Sequence, residues 1–405
     1  MLGSIASGET RISNFATSAD CVSTIGCFRQ LGVSIEQGNN GTLSIQGTGK
    51  QGLRPPTSVL DCGNSGTTMR LISGILAGQR FKSTLTGDES LQSRPMKRII
   101  EPLSRMGATI ESRDGYAPLT ISGGNLSGIE YAPPVASAQI KSCILLAGLF
   151  ADEKTIVIES TPTRDHTERM MREFGIDVDV KKIDNGTEIS VSASAEPRAT
   201  ELLIPGDMSS AAFFMVAAAC LPDSRLTLTN VGLNPTRSAV VDVLRKFGGN
   251  IEINGEIEAA GEPVGDITVG GGIGDSTADN VVGGSVIANL IDEIPILAIF
   301  GTQMKGGLEV RDAAELRVKE SDRIRSVVNN LKKMNADVEE FDDGFRVGPS
   351  KLKGAVIDSY GDHRIAMAFG VAGLIARGET EIIGAECADV SFPGFFDVLE
   401  KAANV

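Results

Sequence analysis

Positive charge recurs in this chain at places where helix geometry disfavours it. Five polar clusters each stand directly before an apolar run: DCGNSGTTMR at 61–70, ASAQIKS at 136–142, PGDMSSA at 205–211, IDEIP at 291–295 and GDHRIAM at 361–367. Asp, Ser and Asn in such places cap helices by accepting from orphan backbone N–H groups, which accounts for Asn64, Ser137 and Asp207. It does not account for Arg70, Lys141 and Arg364, because the helix dipole is positive at its N-terminal end. A second set of segments opens on Arg94 in SRPMKR, Arg164 in TRDH, Arg237 in TRSAV and Arg323 in ESDR. Each arginine taken singly reads as solvated or salt-bridged. Helix N-termini and guanidinium forks both receive anions, however, so recurrence over several units points to a shared anionic ligand.

The densest cluster, ELRVKESDRIR at 315–325, sets Arg317, Lys319, Arg323 and Arg325 among Glu315, Glu320 and Asp322. Structural ion-pair networks look like this, but a lysine beside a carboxylate is also what proton transfer at an anionic substrate requires. Asp292 and Glu293 interrupt the apolar stretch LIDEIPILAIF, where a carboxylate is buried only if paired or functional. The six cysteines lack metal-ligand spacing and read as free thiols, and the only histidines, His166 and His363, fall inside the anion-site clusters. No metal and no organic cofactor is expected.

A net charge of −14, no Trp, 3 Tyr and 4% aromatic residues speak against nucleic-acid and membrane-surface partners. No export signal or spanning stretch is read, and the cytoplasm is the expected location.

The elements that must position these clusters repeat. An apolar helix, a turn and an alternating strand recur from Met1, Leu71, Ile144, Phe213, Ile296 and Met367. In the first five units a second, amphipathic helix follows and ends in a stop-and-strand signature such as LSRMGATIE, and Asp-Gly hairpins close most units. The spacing predicts an α/β fold of six β-α-β-α-β-β repeats. The first-type helices are apolar all round and therefore buried, with sheets outside. Six units exceed one core, so two three-unit domains are expected, 1–204 and 205–405, with a stacked solenoid as the alternative.

GNSGTTMR, SRPM, SAQIKS, TRDHTE, IDEIP, RVKESDR, GDHRIAM and SFPGFF occur in the order seen in the 5-enolpyruvylshikimate-3-phosphate synthase family, which the chain resembles over essentially its whole length. RPMKR, RDHTE and DEIPILA look like the grouping that includes many glyphosate-tolerant bacterial members. The resemblance implies a two-domain inside-out α/β fold and transfer of the enolpyruvyl group of phosphoenolpyruvate to the 5-hydroxyl of shikimate-3-phosphate, with release of phosphate, in aromatic amino acid biosynthesis. It implies that Ser137, Ala138, Gln139 and Arg164 hold shikimate-3-phosphate, that Asp292 takes the 5-hydroxyl proton, that Lys319 contacts the same substrate, and that Glu320 moves a proton at the methylene carbon. Asn64, Gly66, Arg94, Gln139, Arg323 and Arg364 would bind phosphoenolpyruvate. Val390 stands where some members carry a Lys.

Two other readings remain at this point. An enolpyruvyl transferase acting on UDP-N-acetylglucosamine shares the fold, but normally carries a reactive Cys in a Gly-rich loop that has no counterpart here. A non-catalytic remnant would bind shikimate-3-phosphate without turnover. The first unit begins at MLGSIASG, inside its apolar helix, where the resembling family has a strand and a Lys-Ser run followed by an Arg. An N-terminally truncated chain of reduced activity is therefore expected, or a split gene whose separate N-terminal segment is a partner.

Overall fold

Among the residues that the computed structural model describes, 1–38, 41–194, 196–275 and 280–403, the strands gather into six small sheets. In the second repeat Leu60–Asp61 lies parallel to Lys82–Thr86, which pairs antiparallel with Tyr116–Ser122 and through it with Thr109–Arg113. Parallel neighbours need a long crossover, here the helix Gly66–Ala77, whereas the hairpin needs only Asp114 and Gly115, both at positive φ. The same strand order recurs in the third repeat (Glu130–Tyr131, Thr155–Glu159, Gly186–Val191, Val178–Ile183) and in the fifth (Val281–Val282, Leu308–Val310, Gly344–Val347, Val338–Phe341).

The other three repeats correct the expectation of six equal units. In the first sheet the place taken elsewhere by the strand before the apolar helix is filled by Glu201–Leu203, parallel to Ser7–Ser13 with Arg11 opposite Glu201. The fourth sheet has three strands, Arg225–Gly232, Glu262–Ile273 and Gly249–Ala259. Before its apolar helix only Gly206 bridges to Val231, since the preceding Pro205 has no N–H to give a ladder. The sixth sheet has two parallel strands, Val356–Asp358 and Glu381–Ile383. There the chain then turns into the helix Phe395–Ala403, and Phe395 meets Phe213 and Phe214 edge-on at 5.7 and 5.5 Å.

The apolar helices are buried, as their lack of a polar face requires. Met208–Cys220 buries every residue from Ala211 to Ala219, and Ile294–Gln303 every residue from Ile294 to Thr302. Strands such as Lys82–Thr86 alternate buried and more exposed side chains, one face turned to the helices. The helices Gly66–Ala77 and Ala138–Gly148 cross so closely that a Cβ on Gly74 would stand 2.2 Å from the Cys143 carbonyl oxygen. Only glycine permits that approach.

The chain divides into two compact units, Met1–Ile204 with Ala259–Gly261, and Pro205–Glu258 with Glu262–Val405, each around its own aliphatic core. Among the described residues no single helix is long and apolar enough to cross a membrane.

Candidate active site

In the first compact unit the starts of two buried helices are tied together by polar side chains. Ser65 caps Gly66–Ala77, its hydroxyl accepting from the Thr68 N–H at 3.1 Å. The sequence pattern places the cap one residue earlier, at Asn64. Asn64 instead accepts from Arg94, whose Nη2 lies 2.7 Å from Oδ1 and whose Nη1 lies 3.3 Å from the backbone oxygen, and it donates to Asp88 Oδ2 at 2.6 Å. Arg94 is buried and also donates to Ser90 Oγ at 3.1 Å. A Cβ on Gly66 would come within 2.7 Å of Arg70 Nη1 and 3.4 Å of Arg94 Nη1, so the glycine makes room for two guanidinium groups. Arg70 Nη1 donates to Gln139 Oε1 at 2.7 Å, and Gln139 Nε2 donates to Thr67 Oγ1 at 2.8 Å. Asn64, Gly66, Arg94 and Gln139 are thereby brought into one cluster, and Arg70 joins them.

Ser137 occupies the N-cap position of Ala138–Gly148, yet its side chain makes no capping bond. Arg164 lies on the loop between Thr155–Glu159 and His166–Glu173. Lys141, which the sequence had grouped with the anion-receiving cations, is instead an internal charge. It is 1% exposed, with Nζ 2.7 Å from Glu168 Oε1 and 3.1 Å from Glu159 Oε2. Burial pushes the Glu168 carboxyl above its ordinary range in spite of Lys141.

In the second unit Arg323, at 1% exposure, is a hub for three carboxylates. Its Nη2 meets Glu320 Oε2 at 2.6 Å, its Nε meets Asp362 Oδ2 at 2.8 Å and its Nη1 meets Asp292 Oδ1 at 3.3 Å. Burial alone would lower the Arg323 pKa, but the carboxylates, Asp362 foremost, raise it further above its usual value. Asp362 is fully buried; burial pushes its carboxyl up, and Arg323 outweighs this and holds it below the ordinary range. Asp362 also accepts from the Arg364 N–H at 2.9 Å, capping His363–Ile375. Arg364 reaches Asp292 Oδ2 at 4.0 Å and Glu293 Oε1 at 3.9 Å, and Glu293, fully buried, accepts a hydrogen bond from Ser209 Oγ.

Burial lowers the pKa of Lys319, against the pull of Asp292. Burial and the neighbouring Arg364 push His363 down to about 4. Asp207 caps Met208–Cys220 as its position predicts, accepting from the Ser210 N–H at 2.9 Å, and it pairs with Arg237 at 2.8 Å. Arg317 turns aside to Asp322 at 2.8 Å and Glu340 at 3.0 Å, a structural network.

Asp292, Glu320, Arg323 and Arg364 therefore come together. Glu293 is paired, as its place in an apolar stretch requires, whereas the sequence reading does not single out Asp362, whose position directly before an apolar helix is the one signal available. Among the described residues no group of His, Cys, Asp and Glu could hold a metal ion.

Six small sheets, buried helices and helix starts carrying arginines beside carboxylates define a mixed α/β protein built to handle small anions and protons. The sequence profile of the family described as EPSP synthase (3-phosphoshikimate 1-carboxyvinyltransferase) matches residues 1–399, and the chain belongs to that family. A 3-phosphoshikimate 1-carboxyvinyltransferase from Salinibacter ruber is 50% identical over 409 residues, covering 100% of this chain and 93% of the relative. One from Pelotomaculum thermopropionicum is 52% identical over 406 residues, covering 99% and 92%. A solved EPSP synthase from Acinetobacter baumannii superposes with a TM-score of 0.86 at 43% identity, covering 99% of this chain and 92% of that one. This coverage gives no support to the expected truncation, and the family match disfavours the UDP-N-acetylglucosamine reading.

Proposed function

We propose that this chain transfers the enolpyruvyl group of phosphoenolpyruvate to the 5-hydroxyl of shikimate-3-phosphate and releases phosphate, as a transferase of the shikimate route to aromatic amino acids. The observation that carries this reading, in a chain of this family, is the convergence of Asp292 and Glu320 on Arg323, with Arg364 beside Asp292. In the reaction a proton adds to the methylene carbon of phosphoenolpyruvate, the second carbon becomes cationic, and the 5-hydroxyl oxygen bonds to it while losing its proton. The tetrahedral adduct then gives up a proton from the new methyl group and expels phosphate.

Each step needs a group in reach that can hold a proton, and anionic oxygens need fixed donors. Glu320 is assigned to the methylene proton and Asp292 to the 5-hydroxyl proton. Lys319, its pKa lowered by burial, stands beside them for shikimate-3-phosphate. Arg94 and Asn64 at Gly66, with Gln139, Arg323 and Arg364, are assigned to phosphoenolpyruvate. Ser137, Ala138, Gln139 and Arg164 are assigned to shikimate-3-phosphate; a Ser137 hydroxyl not used for capping fits that role. Two three-unit domains with helices inside and sheets outside belong to the same reading. So does a cytoplasmic location, which suits six free cysteines.

Asp292→Asn and Glu320→Gln test the assignment. Each is expected to fold and to lower kcat by about 10²-fold or more. Full turnover in either variant removes that residue from the mechanism.

A further inference from the structure

Lys141 is a buried ammonium on a helix that begins the proposed shikimate-3-phosphate subsite, and its Nζ is paired with Glu159 and Glu168, neither of which is assigned to substrate. Its Nζ joins three segments of the first compact unit. It sits in the first turn of Ala138–Gly148, it meets Glu159 at the end of the strand Thr155–Glu159, and it meets Glu168 in the first turn of His166–Glu173. Two further bonds run alongside. Thr163 Oγ1 donates to Glu159 Oε1, and the hydroxyls of Ser142 and Thr167 share a hydrogen bond of 2.6 Å. The side chains of Lys141, Glu159 and Glu168 are 1%, 7% and 3% exposed.

Such a network is a poor device for stability. Taking one ammonium and two carboxyls out of water costs several kcal/mol for each ion, and well-packed apolar side chains of similar volume often do as well or better. What it supplies is geometry, because an ammonium between two carboxyls on separate elements fixes where those elements stand. The elements fixed here are the ones that carry the subsite. Ser137, Ala138 and Gln139 lie within the turn before Lys141, and Arg164 follows Thr163 on the loop that Glu159 and Glu168 flank.

We propose that Lys141, with Glu159 and Glu168, is a positioning residue that sets the Arg164 loop against the start of the helix Ala138–Gly148, and so shapes the site for the phosphate of shikimate-3-phosphate. The inference rests on the assignment of Ser137 and Arg164 to that substrate. It makes the network a determinant of affinity for one substrate, with no direct part in chemistry.

The test compares Lys141→Met with the triple variant K141M/E159Q/E168Q, which leaves no charge in the pocket, and with Arg164→Ala. Steady-state kinetics with each substrate varied in turn are read beside thermal unfolding. The expected result is a rise of about tenfold or more in KM for shikimate-3-phosphate in both Lys141 variants, with KM for phosphoenolpyruvate within about twofold of the parent, because small misplacements of binding groups are costly. A folded Lys141 variant whose KM for shikimate-3-phosphate is unchanged, while Arg164→Ala raises it, overturns the positioning role and leaves the binding assignment standing. An unchanged KM in Arg164→Ala overturns the binding assignment and this inference with it. Should Lys141→Met fail to fold, the triple variant decides. If that also fails to fold, the network is a folding element and the proposal is wrong.

Discussion

The two compact units hold their arginines in opposite ways. In the first, Arg94 is held by the Asn64 amide and backbone oxygens and the Ser90 hydroxyl, and Arg70 by the Gln139 amide. In the second, Arg323 lies among Asp292, Glu320 and Asp362, and Arg364 reaches Asp292 and Glu293. Amide and hydroxyl partners orient a guanidinium while neutralising it less than carboxylates do. Carboxylates hold a guanidinium rigidly and can exchange protons with a ligand beside them. The contrast lies in what holds each cation: amide and hydroxyl groups are among the partners of Arg94 and Arg70, and carboxylates surround Arg323 and reach Arg364.

The largest effect should come from taking the hub out of the second unit. Arg323→Met leaves three carboxylates around a buried site without their cation, and such a loss typically costs about 3–5 kcal/mol of stability. A denaturant midpoint unchanged from the parent would break the account of Arg323 as an internal counter-charge. In the first unit Arg94→Ala should act on binding. Losing one charge-assisted contact of about 1.5–3 kcal/mol would raise KM for phosphoenolpyruvate by roughly ten- to a hundredfold, and calorimetry should show a far smaller loss of Tm than Arg323→Met gives. Equal losses of Tm in both would erase the contrast.

Acid should reveal the second unit through His363. Its pKa is about 4 in the folded chain, against about 6.5 for an ordinary imidazole. Between those values the unfolded chain binds the proton and the folded one does not. The stability tied to neutral His363 is therefore present above pH about 6.5 and lost as pH falls towards 4. His363→Gln should flatten that part of the Tm profile, and an unaltered slope would dissociate His363 from it. The smallest effect belongs to Glu168, whose carboxyl pKa is raised by burial. Here the folded chain holds its proton longer as pH rises, so the cost appears above the ordinary carboxylate pKa and is absent below it. Glu168→Gln should flatten the part of the Tm profile that lies above the ordinary carboxylate pKa, whatever it does to the absolute Tm through Lys141, and an unaltered slope would contradict the burial of that carboxyl.

Much of this was legible in the residues themselves. Recurring polar clusters before apolar runs marked where the helices begin, and Asn64, Gly66, Arg94 and Gln139 do assemble, as do Asp292, Glu320, Arg323 and Arg364. What could not be read depends on pairings between distant elements. Glu201–Leu203 completes the first sheet from far along the chain, and a three-residue strand leaves no periodicity to detect. Lys141 looked like a cation open to ligand because its partners, Glu159 and Glu168, stand on other elements. Capping was misread by one residue at Asn64, since Asn and Ser are nearly equal N-caps and Asn64 and Ser65 are neighbours.

Gly74 acts as a spacer whose setting is felt one helical turn away. Arg70 precedes Gly74 by four residues and Gln139 precedes Cys143 by four, so the contact between helix backbones and the polar bridge between helix starts share one register. Whatever widens the first must lengthen the 2.7 Å bond in the second. A methyl group at position 74, carrying no charge and making no hydrogen bond, would therefore be read out at the polar bridge between Arg70 and Gln139, and a survey confined to polar side chains would never look for the cause there.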